Sequence, residues 1–341
     1  MRAAIFEGAN LPLVIGTVPD PACGAGDVIL KVSYSGICGT DLHVTQGDTP
    51  FVLPGTVLGH EFSGEVVEVG DDVRALWPRG SLATMVPYRP CTACGGECRR
   101  GLGGLCPSKA YIGITLAGGN AEYVRCGAGQ LVKLADGVDM RIGSLTEPLA
   151  VGCHAVRKAG SLIDLTVLVM GAGPVGLAVA AFARLAGARE VIVSDPVSFR
   201  TDLAFAMGAT ATMDPRHEDA VDVCTRLSGG PPDVVFECVG NPGMIAEAID
   251  HIKFFGRVIV VGACFEPDRL TPLIALSKEV SVQFVLGNTL QDFAFVTRMV
   301  AQGRIAPAPL ITDQTDFAGF SDSFERLRQP TNQCKVLLCP N

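Results

Sequence analysis

The sequence predicts an α/β protein in two parts, a β-rich N-terminal region followed by a doubly wound parallel sheet. Three observations lead there. Short β-type runs broken by glycine and proline fill the first third of the chain. From residue 166 a buried strand, a glycine-rich turn and a small-residue helix follow one another without a break. Beyond them, apolar strand candidates alternate with helical stretches until about residue 287.

Composition sets the outer bounds. A chain of 341 residues suggests two domains with room for a sizeable core. With 48% hydrophobic and 18% charged residues, disorder is not expected. A net charge of -8 without a basic cluster argues against a nucleic-acid partner. The first residues carry a glutamate and no long apolar run, so no signal peptide is expected. Thirteen cysteines, an odd number, suit thiolate metal sites in a reducing, cytoplasmic compartment better than a disulfide framework. The uncharged run from Thr166 to Ala183 is nearly long enough to cross a bilayer. Gly171, Gly173, Pro174 and Gly176 interrupt it, which favours strand, turn and helix over a membrane segment.

Taken in order, Arg2 to Phe6 and Val28 to Val32 read as strands, separated by Pro19, Pro21, Gly24 and Gly26. Glu65 to Gly70 alternates charge with valine, as a half-buried strand does. Residues 112 to 138 are strand-like again, with a turn near Gly118. Apolar spacing from Ser144 to Lys158 predicts a helix ending at Gly160. Thr166 to Met170 reads as a fully buried strand, and Leu177 to Leu185 as the helix after it. Val191 to Asp195, Asp233 to Val239, Arg257 to Val261 and Val280 to Leu286 are further strands. Phe293 to Gln302 predicts a helix, and the strands at Leu310 and from Lys335 to Cys339 are expected to rejoin the first part.

Three clusters carry chemistry. The stretch from Gly36 to Glu61 gathers Cys38, Thr40, His43, His60 and Glu61 among glycines and prolines. Thiolate, imidazole and carboxylate are zinc ligands, and a catalytic site needs a further group from elsewhere in the chain. The stretch from Thr146 to His154, with Glu147, is the next dense candidate; singly, each residue could equally be a core or capping residue. Cys91, Cys94, Cys98 and Cys106 lie within sixteen residues rich in glycine, which suits a closed structural zinc site. Gly171, Gly173 and Gly176 follow a strand and open a helix, and Asp195 ends the next strand. There the glycines serve the turn, the approach of a pyrophosphate and close helix packing. Asp195 would accept from ribose hydroxyls and repel a 2′-phosphate, favouring NAD over NADP, although Arg200 could meet either. Cofactor contacts are expected from these residues, from Pro174 and Val175, and from the strand ends at Cys238, Val239, Val261 and Gly262.

Gly59-His60-Glu61-x-x-Gly64-x5-Gly70-x-x-Val73, the four-cysteine lobe and Gly171-x-Gly173-x-x-Gly176 together resemble the zinc-containing medium-chain dehydrogenase/reductase superfamily. The likeness spans nearly the whole chain. It implies a GroES-like catalytic domain over residues 1–148 and 288–341, with its zinc lobe at 91–106, and a Rossmann domain over residues 149–287. It implies Cys38 and His60 as catalytic zinc ligands. Glu147, in Glu-Pro-Leu-Ala-Val-Gly-x-His-Ala, resembles the third ligand of the polyol, butanediol and threonine dehydrogenase branch. Glu61 matches a carboxylate able to approach the metal, and Thr40 and His43 match a proton relay. The implied protein is an NAD-dependent zinc alcohol or polyol dehydrogenase, with two zinc ions per subunit and a homodimer or homotetramer. The rivals are a zinc-free quinone or enone reductase of the same fold and a non-catalytic dinucleotide-binding protein. Two departures stand out. The gap between Cys94 and Cys98 holds three residues where the family has two, and Gly80-Ser81-Leu82-Ala83 replaces the usual Gly-Asp-Arg-Val. Gly47, Asp48, Phe51, Leu116 and Asn288 are the expected pocket residues, and they leave the substrate open.

Overall fold

A computed structural model describes the chain except residues 50, 92–97, 99–103, 105, 107, 330 and 331. It falls into two compact units, Met1–Glu147 with Asn288–Gly303 and Ile311–Asn341, and Pro148–Gly287 with Arg304–Leu310. The division differs from the sequence boundaries in placing Pro148 and Arg304–Leu310 with the second unit.

The first unit is built on antiparallel strands. β1 (Arg2–Phe6) pairs with β2 (Val14–Thr17) and with β4 (Thr56–Val57). β3 (Asp27–Gly36) is the long central strand of a second sheet, and α1 (Gly39–Gln46) follows it directly. β5 (Glu61–Val69) pairs with β3, and β6 (Leu82–Met85) pairs with β5. β7 (Tyr88–Arg89) and β8 (Ala110–Tyr111) form a two-stranded ribbon at the cysteine lobe. β9 (Tyr123–Gly127) pairs with β3, and β10 (Leu131–Lys133) with β6. Val28, Leu30, Val32, Phe62, Val66 and Val124 alternate inward from these strands and share one core. No element is assigned from the sequence between Gly36 and Glu61, and the structure forms the helix α1 there. Cys38 starts it in extended backbone, and Asp41 completes the cap by accepting from the Cys38 amide at 3.4 Å.

After α2 (Met140–Gly143), the unit boundary falls inside α3 (Thr146–Ala159). The second unit alternates strictly. β11 (Thr166–Met170), α4 (Pro174–Leu185), β12 (Glu190–Ser194), α5 (Ser198–Ala206), β13 (Ala211–Met213) and α6 (Ala220–Ser228) make one half. β14 (Val234–Glu237), α7 (Met244–His251), β15 (Arg257–Val260), α8 (Pro272–Ser277) and β16 (Ser281–Phe284) make the other. The six strands are parallel in the order β13-β12-β11-β14-β15-β16, so the order reverses at β11 and β14. All five residues of β11 are buried, which accounts for its unbroken apolar run.

The chain then returns to the first unit through α9 (Leu290–Ala301), β17 (Ile311–Thr315), α10 (Phe317–Arg326) and β18 (Lys335–Leu338). β18 pairs with β3 and with β17, which carries Lys335 to the start of the site stretch. No helix among the described residues is long and apolar enough to cross a membrane.

Candidate metal and dinucleotide sites

β3, α1 and β5 bring the first cluster together. Cys38 is the N-cap of α1, and His60 and Glu61 lead into β5. Gly59 has φ +97, and a Cβ there would lie 2.5 Å from the Asn120 side chain, so this turn into His60 requires glycine. One ligand atom each from Cys38, His60 and Glu61 lie within 4.8 Å of one another. His60 and Glu61 are buried.

Glu147 is also buried, at the first turn of α3, and its Oε1 accepts from Asn288 Nδ2 at 2.8 Å. It stands outside the close group of three, although His60 and Glu61 both act on its charge. Burial, opposed by His60, raises its carboxyl to about 7. Burial and Glu61 likewise raise the Cys38 thiol. Burial opposes charge on His60, yet the neighbouring Cys38 and Asp41 raise its affinity for a proton. A half-buried thiol, an imidazole and the Glu147 carboxyl, each with its proton affinity raised, therefore meet at one place, and a divalent cation would displace those protons.

The residues also fit zinc at the second layer. His60 Nδ1 lies 3.5 Å from Asp41 Oδ1, in ion-pair range but without hydrogen-bond alignment, so both atoms are buried without a partner. A ligating histidine takes this kind of carboxylate partner, which fixes its ring. The Tyr111 and His60 rings meet in a T-shaped contact, centroids 5.9 Å apart and planes at 72°. Thr40 is half-buried in the first turn of α1. His43, one turn on, is half-buried with its side chain 40% exposed, and its Nδ1 lies 2.8 Å from Asp48 Oδ2.

In the lobe, one atom each from Cys91, Cys98 and Cys106 lie within 4.8 Å of one another, with 3.5 Å between the Cys91 and Cys106 sulfurs. Three converging thiols suit a structural zinc ion. Cys94, the fourth expected ligand, lies outside the described residues.

In the second unit, Gly171 has φ +95 at the end of β11, Gly173 is the N-cap of α4, and Pro174 and Val175 open the helix. Gly176 packs against the turn, and a Cβ on it would sit 1.9 Å from the Gly171 carbonyl oxygen. Asp195 is buried; its Oδ2 accepts from the Ala172 amide and its Oδ1 from the Val197 amide, both at 2.8 Å. Each oxygen keeps a lone pair. Arg200 lies in the first turn of α5 with a buried, unpartnered Nε. Cys238 and Val239 follow β14, and Val261 and Gly262 follow β15, so all four stand at strand carboxyl ends, where open α/β sheets bind ligands. Glu237, buried, accepts from the Val239 and Gly240 amides and shapes that turn.

Sequence reasoning missed Asp41, Tyr111, Glu237 and Lys335. Asp41 had a signal, since it stands three residues past Cys38 where a cap partner belongs. Lys335 had one too, a lone lysine opening an otherwise apolar strand. Its Nζ donates to both oxygens of Glu61, at 2.9 and 2.6 Å, and to the Ile37 carbonyl at 2.9 Å. Of the expected pocket residues, Asn288 is buried, Leu116 packs partly against the core and Phe51 is exposed.

Comparison with known proteins gives the family. Residues 24–136 match the alcohol dehydrogenase GroES-like domain family, and residues 174–302 match the zinc-binding dehydrogenase family. L-threonine 3-dehydrogenase of Bacillus subtilis (strain 168) is 32% identical, covering 100% of this chain and 99% of that protein. L-galactonate-5-dehydrogenase of Escherichia coli (strain K12) is 32% identical, covering 90% of this chain and 89% of that protein. A solved structure from Sinorhizobium meliloti 1021, bound to NADP, superposes with a TM-score of 0.92 at 33% identity, covering 99% of each chain. With ligand-type side chains converging in the first unit and a glycine-rich turn opening the second, the chain belongs to the zinc-binding alcohol dehydrogenase family, oxidoreductases that act on CH–OH groups.

Proposed function

We propose that the protein oxidises a secondary alcohol or polyol, or reduces the matching ketone, with NAD as hydride acceptor or donor. The observation that carries this reading is the meeting of half-buried Cys38 with buried His60 and Glu61, close enough to Glu147 to act on its charge. Cys38, His60 and Glu147 would hold the catalytic zinc, with Glu61 in reach; Cys91, Cys94, Cys98 and Cys106 would hold the structural one. When bound, zinc supplies Lewis acidity that lowers the pKa of an alcohol oxygen.

The chain's own residues do the rest. Asp41 and the Tyr111 ring flank the His60 ring and restrict its orientation. The Thr40 hydroxyl would accept the substrate proton as it passes its own onward, and His43, three residues along the same helix face, would take up the relayed proton and release it to water. Asp48 Oδ2, 2.8 Å from His43 Nδ1, orients the ring for that transfer. The α4 N-terminus and Gly173 receive the pyrophosphate, and Asp195 accepts from the adenosine ribose with its remaining lone pairs. That carboxylate disfavours a 2′-phosphate, which supports NAD, while the unpartnered Nε of Arg200 makes NADP the cofactor to test against it.

Zinc content together with NADH formation over a panel of secondary alcohols, vicinal diols, polyols and 3-hydroxy amino acids tests the reading. Zinc-free protein that still reduces quinones or enones would overturn it, as would a loaded protein inert to every alcohol. A higher kcat/KM with NADP would overturn the cofactor choice.

The same reading includes assembly and compartment. β16 is the edge strand of its sheet, and Val282, Phe284 and Leu286 are 37%, 70% and 73% exposed. Such an edge supports pairing with a second copy of the chain in a homodimer or homotetramer. Sedimentation of Val282→Lys as a monomer is the expected outcome, and an unchanged native mass would remove the edge from the interface. The thiolate-rich metal lobe supports a reducing, cytoplasmic setting.

A further inference from the structure

Two carboxylates stand beside Cys38 and His60, and the protein holds them differently. Glu147 accepts one side-chain hydrogen bond, from Asn288 to its Oε1. Glu61 has both oxygens engaged by Lys335. The Lys335 ammonium has three N–H groups and three acceptors, the two Glu61 oxygens and the Ile37 carbonyl. Lys335 is 2% exposed and Glu61 1%. An ammonium that deep cannot lose its anion cheaply, so Glu61 is drawn toward β18.

A second observation concerns the other side of Glu61. A Cβ on Gly36 would lie 2.5 Å from Glu61 Oε2 and 3.2 Å from Lys335 Cδ. The carboxylate thus rests on bare backbone, in a seat that any side chain at position 36 would fill. Gly36 and Lys335 come from paired strands, β3 and β18, so the seat is fixed by the sheet.

We propose that Lys335 and Gly36 form a seat that holds Glu61 off the catalytic ion at rest, leaving Glu147 to complete the protein ligands and keeping the remaining position open for the alcohol. Lys335 is then a positioning residue. It makes Glu61 a carboxylate in reserve, within reach of the ion but restrained by a buried cation. This rests on the dehydrogenase reading above.

The test uses the full-length protein with cobalt in place of zinc, read by its visible absorption. A Cys38→Ser difference spectrum assigns the bands of the catalytic site. Glu61→Gln is expected to leave the resting spectrum unchanged, because Glu61 is not in the shell. Lys335→Met frees Glu61 to join it, so the bands weaken and shift as coordination number rises. Release of the metal to a chelator slows by on the order of 10-fold. Gly36→Ala pushes Glu61 from the same seat while keeping the Lys335 ammonium, whose stem it meets only at 3.2 Å, and is expected to move the spectrum the same way. Lys335→Arg keeps the native spectrum, and Lys335→Met combined with Glu61→Gln returns to it.

A changed spectrum in Glu61→Gln would overturn the proposal, since Glu61 would then be a resting ligand. Native spectra and release rates in both Lys335→Met and Gly36→Ala would also overturn it. Should Lys335→Met fail to fold, Glu61→Gln and Gly36→Ala still decide the matter. Cobalt bound with any of these contrary results refutes the seat alone. A protein that takes up no cobalt at Cys38 refutes the dehydrogenase reading and the seat together.

Discussion

Gly173 and Gly176 stand three residues apart in one turn, yet the structure gives them different burdens. An alanine Cβ at position 176 would lie 1.9 Å from the Gly171 carbonyl oxygen and 3.5 Å from Cys238 Cβ. Ordinary contact lies near 3.5 Å, so the first turn of α4 must move by more than ~1 Å relative to the end of β11. Such overpacking costs about 1–3 kcal/mol. At position 173 the added Cβ meets nothing within 4 Å, and φ -70 with ψ 175 is open to alanine. The folded chain loses less than ~1 kcal/mol there, the cost of a poorer N-cap. Space left at Gly173 is used only if a ligand approaches the backbone. Urea denaturation and NADH fluorescence titration separate the two effects. Gly176→Ala is expected to lower both the urea midpoint and NADH affinity. Gly173→Ala is expected to keep the midpoint and weaken NADH by at least ~10-fold, about 1.4 kcal/mol. Native NADH affinity in Gly173→Ala would refute the claim that a pyrophosphate sits against that backbone.

Other expectations come from the first unit. In metal-free protein, Glu147 ionises at about 7 when folded against 4.5 for the ordinary group. The folded state binds the extra proton, so stability is highest below about 4.5, falls as pH rises to about 7, and is lower by on the order of 3 kcal/mol above that. Glu147→Gln should flatten that part of a denaturation profile, and an unchanged slope would place the proton elsewhere. Asp41→Ala should weaken catalytic zinc by roughly 10–100-fold in chelator competition while the structural ion stays; native retention would leave Asp41 a helix cap only. Phe62, 1% exposed in β5, fills the core behind His60 and Glu61. Phe62→Ala should cost about 3–5 kcal/mol in urea denaturation, and a loss below 1 kcal/mol would mean that this core collapses around the gap.

Within the second unit the sequence by itself determined five strands, the glycine-rich turn and α4, while β13 and the helices α5 to α8 were not read from it. Buried parallel strands must be unbroken apolar runs, and a turn that admits a phosphate must carry glycine at fixed spacing, so β11, the turn and α4 were visible as letters. It also named the ligand-type residues Cys38, His60, Glu61 and Glu147, because few side chains bind zinc and their surroundings here are distinctive. Only tertiary structure decided how those groups are held. The helix at Gly39–Gln46 hid behind its flanking glycines and prolines, and its cap joins Cys38 to Asp41. Lys335 is 274 residues from Glu61, and no local pattern connects them. Their meeting depends on β18 pairing with β3 and β3 with β5, a matter of sheet register that long-range packing sets. Ligand identity is a property of single residues and can be read along the chain. The charge and space around a ligand belong to strands that meet only after folding.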